Sequence, residues 1–67
     1  MPSTAIRSFH YRAKERELEV IFITGRRYAY FDVPPETVEA FRAAVSKGAF
    51  FNRQIRPFHE YRELSPA

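Results

Sequence analysis

The stretch Ser46-Lys47-Gly48-Ala49 carries the most suggestive local chemistry in the chain. If a helix opens there, its first four amides lack acceptors within the helix, and its dipole favours an anion. Gly48 leaves room for a phosphate to approach the backbone, and Lys47 adds a point charge. The full glycine-rich spacing of a P-loop is missing, so the competing reading is a plain helix capped by Ser46 with a solvated lysine. Arg53 and Arg56, three apart along or just past the same helix, are neighbours on one face and suit bidentate grips on phosphate. A solvent-facing stripe is the plainer alternative, and Asn52 suits a bond to a nearby backbone carbonyl. Arg26 and Arg27 add charge at a hairpin tip. Tyr28 and Tyr30 share one face of a strand, where they either stack unpaired bases or line the core and send only hydroxyls outward.

Catalysis is poorly served by these residues. His10 and His59 lie far apart in sequence, with no cysteine and no helical histidine partner, so a zinc site is not expected. Glu36 and Glu39 at an exposed helix start are accounted for by the helix dipole. No serine sits in a Gly-x-Ser-x-Gly elbow. A chain of 67 residues also offers little concave volume for shielding a reaction from water. The expectation is a non-enzyme that needs neither metal nor cofactor.

The elements that position these groups follow from local pattern. Ala5 to Tyr11 alternates Ile6, Ser8 and His10 against Arg7, Phe9 and Tyr11, a first strand. As a helix, the polar segment 12–16 would set like charges four apart, Arg12 with Arg16 and Glu15 with Glu19, without an apolar stripe. A turn is expected instead. Glu17-Leu18-Glu19-Val20 alternates and runs into Ile21-Phe22-Ile23, a second strand. Thr24-Gly25-Arg26 reads as a tight turn in which Gly25 takes positive φ without a Cβ clash. Residues 27–31 then return antiparallel as a third strand.

The parity of that turn decides the tyrosines. A two-residue loop sets them with Ile21 and Ile23; a three-residue loop over 24–26 sets them with Leu18, Val20 and Phe22. The second set is the cleaner core face, which favours structural tyrosines. Val33-Pro34-Pro35 stops the sheet. Pro35 opens a helix with Glu36 and Glu39 near its positive end and Val38, Phe41, Ala44 and Val45 on one face. A second helix begins at Ser46 and runs to Ile55, with Phe51 and Ile55 inward and Pro57 as the stop. Residues 58–64 read as a short edge strand or as a loop.

Length and composition bound the rest. Sixty-seven residues, 45% of them hydrophobic and 16% aromatic, make one small folded domain, 1–67. Such a domain buries about 60% of the surface its unfolded chain exposes, so its core is thin. Eleven Lys+Arg against eight Asp+Glu leave a net +3, a modest pull toward nucleic acid. The absence of cysteine removes disulfide and thiolate chemistry. The longest apolar run, residues 20–23, is too short to cross a bilayer, and no leader pattern opens the chain. A cytoplasmic protein without membrane partners is expected.

The order Tyr28-Ala29-Tyr30, Val33-Pro34, Ser46-x-Gly48 and Phe51-Asn52-x-x-Ile55 resembles the KTSC domain. The spacing of Ile6 and Tyr11 and the segment Leu18-x-Val20-x-Phe22-x-x-Gly25 extend the resemblance from about Ser3 to Tyr61. Phe9-His10-Tyr11-Arg12 departs from it, with His and Arg where such domains usually look like Gly-Tyr-Asp. The KTSC domain is a short module of bacterial and phage proteins, found also at the carboxyl end of some lysyl-tRNA synthetases. That attachment implies an RNA-binding role by association rather than by mechanism.

The expected architecture is α+β: a three-stranded antiparallel β-meander, with a short fourth strand left open, packed by two C-terminal helices. The expected function is a small non-catalytic binding module that takes RNA, as tRNA or single strand, on a basic surface at the start of the second helix. Its residues are Ser46, Lys47, Gly48, Arg53 and Arg56, joined by Arg26, Arg27, Tyr28 and Tyr30. Three neutralised phosphates on a single strand give a slope of about −2 in log K against log salt. The alternative is a protein-interaction module that docks on another protein or on itself. It would use a sheet face bearing Ile21, Ile23, Ala29 and Phe31 or the tyrosines.

Overall fold

The computed structural model describes residues 5–65, so the ends of the expected 1–67 domain, with Ser3, lie outside the described residues. Four strands, β1 (Ile6–Arg12), β2 (Glu17–Phe22), β3 (Arg27–Tyr30) and β4 (Tyr61–Ser65), form an antiparallel sheet in the order β1-β2-β3-β4. Two helices fill the connection between β3 and β4: α1 (Pro35–Ala43) and α2 (Lys47–Phe50), the latter continuing into a π-helical turn, Phe51–Ile55. The fold is α+β, and the segment left open between strand and loop supplies the fourth strand.

The β2–β3 turn sets the faces of the sheet. Gly25 N–H donates to Phe22 O at 2.9 Å, and Phe22 N–H donates to Arg26 O at 3.0 Å. The loop is therefore residues 23–25, one position earlier than expected, with Gly25 at φ 96° in the bulged left-handed position such loops require. It still holds three residues, so parity is preserved: Val20 faces Tyr28 and Leu18 faces Tyr30. Both tyrosines lie on the core side.

Strand β1 departs from plain alternation. Ile6 pairs with Phe22 but Ser8 pairs with Ile21, so β1 carries one extra residue. This bulge moves Ile6 from the face of Ser8 and His10 to that of Phe9 and Tyr11, where all three pack against the core. Burying another apolar side chain outweighs the local break in the ladder.

The core is Leu18, Val20 and Tyr30 from the sheet, Val33 from the connection, and Val38, Phe41, Phe51 and Ile55 from the helical layer. Tyr11 fixes where that layer begins. Its hydroxyl donates to Val33 O at 2.7 Å, and Val33 N–H donates to Arg16 O at 2.9 Å. The chain leaving β3 is thereby tied to the far end of the β1–β2 hairpin, and Asp32 takes the left-handed φ of 60° needed to get there. Pro34 O then accepts from Thr37 N–H and Val38 N–H, starting α1 with Pro35 at its first position.

Helix α1 is shorter than its apolar pattern suggests. It ends at Ala43; Ala44 is extended with ψ 139°, and Val45 is fully exposed instead of facing inward. Two local bonds favour this break. Lys47 Nζ donates to Ala44 O at 2.9 Å, and an extended Ser46 caps the next helix by accepting Ala49 N–H at 3.2 Å. Phe41 remains fully buried against Phe9, with ring centroids 4.4 Å apart.

Candidate functional site

On the helix-covered side of the sheet, β3 and β4 bring three tyrosines together. Tyr30 pairs with Tyr61 across the strands, and Tyr28 lies two residues from Tyr30 on the same face. Their rings form a triangle: Tyr28 and Tyr30 are stacked at 6.5 Å, and Tyr61 lies 5.3 Å from each. Phe22 and Tyr28 meet in a T-shaped contact at 5.4 Å, and Phe51 and Tyr30 in another at 5.1 Å, which fixes the two inner rings. These rings border a groove of about 440 Å³, lined also by the hairpin residues Ile23, Thr24 and Arg26 and by Arg56.

Exposure grades the rings. Tyr30 is 3% exposed and part of the core, whereas Tyr61 is 56% exposed. Burial pushes the Tyr30 phenol up to about 12, although the neighbouring Arg56 acts in the opposite direction. The two guanidinium groups differ as well. Arg26 is held above its ordinary range by a hydrogen bond with Tyr28 and by the Glu63 carboxylate, whose Oε2 lies 3.7 Å from Arg26 Nη1. Arg56 Nη1 donates to the uncharged Asn52 Oδ1 at 3.1 Å. One end of the groove thus carries a cation beside an acid, and the other a cation bonded to an amide. The arrangement can stack a planar group and bind an anion next to it.

Of the residues expected to act together, Arg26, Tyr28, Tyr30 and Arg56 meet in this groove. The others do not. Ser46 is occupied as the cap of α2, Lys47 Nζ donates to Ala44 O, and the carbonyl of the half-buried Gly48 accepts from Phe51 N–H. Arg53 borders a separate, shallower cavity of about 250 Å³ with Ser46 and Phe50. The π-helical turn explains the separation: Arg56 N–H donates to Phe51 O, five residues back, so the turn holds more residues than an α-helical one. Arg53 and Arg56 are therefore not stacked on one face. Strand alternation turns Arg27 to the opposite side of the sheet. The expected residues thus divide between the start of the second helix, where Ser46 and Arg53 meet, and a groove at the hairpin end of the sheet.

The opposite sheet face is ionic. Glu19, only 4% exposed, accepts from Arg27 Nε at 2.9 Å through one oxygen, which also lies 2.8 Å from Arg27 Nη2, and from Arg12 Nη2 at 3.3 Å through the other. The bond with Arg27 is the main reason its carboxyl lies below the ordinary range, against the upward effect of burial. Ala29 is fully buried on this face, while Ile23 turns into the groove. The apolar docking face expected from Ile21, Ile23, Ala29 and Phe31 is thus not a continuous patch.

Sequence reasoning missed Tyr61 and Glu63. The alternation Tyr61-x-Glu63 was their one local signal, and it has meaning only once β4 is paired with β3. Among the described residues, no group of three His, Asp or Glu gathers to hold a metal ion, and no helix is long and apolar enough to cross a membrane.

A meander closed by a strand that returns after two helices defines a small α+β module. The KTSC domain model matches residues 2–62, and the chain belongs to this family. A KTSC domain protein of Yersinia pestis, solved by crystallography, superposes with a TM-score of 0.85 at 35% identity, covering 97% of this chain and 92% of that one. An uncharacterized protein of Stutzerimonas stutzeri is 41% identical over 59 residues, 88% of this chain and 83% of its own. A lysine–tRNA ligase of Nostoc punctiforme is 37% identical over 62 residues; the match covers 92% of this chain but 11% of the ligase. The module therefore also has relatives within much longer proteins.

Proposed function

We propose that the protein is an accessory RNA-binding module that takes unpaired RNA in the tyrosine groove. Tyr61 offers a base-stacking face, Tyr28 borders it, and the Arg26 and Arg56 guanidinium groups supply positive charge toward the RNA backbone. The observation that carries this reading is the convergence of an exposed aromatic ring and two guanidinium groups on one groove, from segments far apart in the chain. The similarity to a segment of lysine–tRNA ligase adds support from association. Docking of another protein or a second copy on the outer sheet face has less support, because the Arg12–Glu19–Arg27 network covers it.

The test is fluorescence anisotropy with labelled tRNA and a labelled single strand in low salt. Tyr61→Ala is expected to weaken binding by about 5- to 150-fold, the range for loss of about 1–3 kcal/mol of stacking. Lys47→Ala is expected to leave binding unchanged. With at most two phosphates held by the groove arginines, the salt slope should be no steeper than about −1.4, in place of the −2 expected from three phosphates. No binding of either RNA at tens of micromolar protein would end the proposal.

A further inference from the structure

Resting on the RNA-binding reading above, we infer that the groove accepts a single unpaired nucleotide, its base on Tyr61 and its phosphate on Arg56. The number of free ring faces sets the first limit. Tyr30 is 3% exposed, and the half-buried Tyr28 is flanked by Tyr30 and Tyr61 and meets Phe22 at right angles. Tyr61, at 56% exposure, is left as the stacking face of the cluster, with capacity for one base. Successive stacked bases need successive open rings.

The cations set the second limit. Arg26 is held by the Glu63 carboxylate at 3.7 Å, and a phosphate brought to it would also meet that acid. Arg56 is bonded to the neutral Asn52 Oδ1, which leaves its charge available for an anion. One base and one phosphate make one nucleotide. The cavity of about 440 Å³ lies toward the small end of ligand sites, which run from about 300 to 1,000 Å³. RNA would then enter by a strand end or by a nucleotide turned out of its stack, with the rest of the strand outside.

A length series distinguishes this from a groove that follows a strand. Adenosine, adenosine 5′-monophosphate and oligoadenylates of two to eight nucleotides are titrated into isotopically labelled protein, with groove amide shifts as the readout. The monophosphate should produce the same groove shifts at saturation as the octamer, and affinity per nucleotide should stay flat along the series. Adenosine should bind about tenfold more weakly than its monophosphate, and Arg56→Ala should erase that difference while Tyr61→Ala weakens both ligands. Affinity per nucleotide that climbs along the series, or a phosphate that makes no difference, would overturn the single-nucleotide inference while leaving RNA binding intact. Absence of binding along the whole series would overturn both.

Discussion

Replacing Tyr11 by phenylalanine removes one oxygen atom and isolates one link in the fold. The Tyr11 hydroxyl donates to Val33 O at 2.7 Å, and Val33 is fully buried at the point where the chain leaves the sheet for α1. The ring can stay in place beside the core, so loss of apolar packing is small. What remains is a buried carbonyl without its donor, which costs about 1–3 kcal/mol. Tyr11 is itself only half-buried, so water can replace part of the bond, and the lower half of that range, about 1–2 kcal/mol, is expected. At about 4–8 °C per kcal/mol for a domain of this size, the midpoint should fall by about 4–16 °C. Thermal and urea unfolding of the wild type and Tyr11→Phe would measure this, with an unchanged urea slope showing that the denatured state is unaltered. A loss below about 0.5 kcal/mol would show that the Tyr11–Val33 bond does not anchor the helical layer.

Three further outcomes follow from local geometry. The bond with Arg27 holds the Glu19 carboxyl below the ordinary carboxylate range, so its stabilising contribution is complete above the unfolded-chain value and is lost as pH falls through the lower folded value. Glu19→Gln should flatten this part of an acid-unfolding series. Arg16 holds a left-handed φ of 54°, which costs a non-glycine residue about 1–2 kcal/mol, while glycine gives back about 0.4–1 kcal/mol through its freer unfolded chain. Arg16→Gly should therefore stabilise the protein by about 0.5–1 kcal/mol in urea unfolding. Tyr30 should ionise near 12, seen as one late component in an ultraviolet tyrosinate titration that Tyr30→Phe removes. Its stabilising contribution is complete below pH 10 and is lost as pH rises from 10 toward 12; ionisation of that component near pH 10 would contradict its burial.

Features set by neighbouring residues could be read from the sequence. The Leu18/Val20/Phe22 alternation, the glycine of the hairpin, the proline that opens α1 and the serine that caps α2 are local signals, and all appear in the fold. Features set by contact between distant segments could not. The bulge that moves Ile6 onto the core face answers to Phe22 on another strand, and β4 exists only against the edge of β3. Val45 fits the apolar period of α1, yet the bonds at Ala44 and Ser46 turn it outward.

The candidate site divides along the same line. Arg26, Tyr28, Tyr30 and Arg56 were legible as cations and rings of the right type, but their common groove depends on a π-helical turn and a paired fourth strand. Ser46, Lys47 and Gly48 had a suggestive pattern in which the Ser46 hydroxyl is taken up by helix capping and the Lys47 ammonium by the interhelical link.

The most direct test of the account is a map of amide shifts in isotopically labelled protein as unlabelled single-stranded RNA is added in low salt. The account expects the largest changes at Arg26, Tyr28, Arg56 and Tyr61, with little movement at Lys47 and Gly48 or at Glu19 and Arg27. Changes centred on the start of α2 or on the Arg12–Glu19–Arg27 face, with the tyrosine groove unmoved, would contradict it.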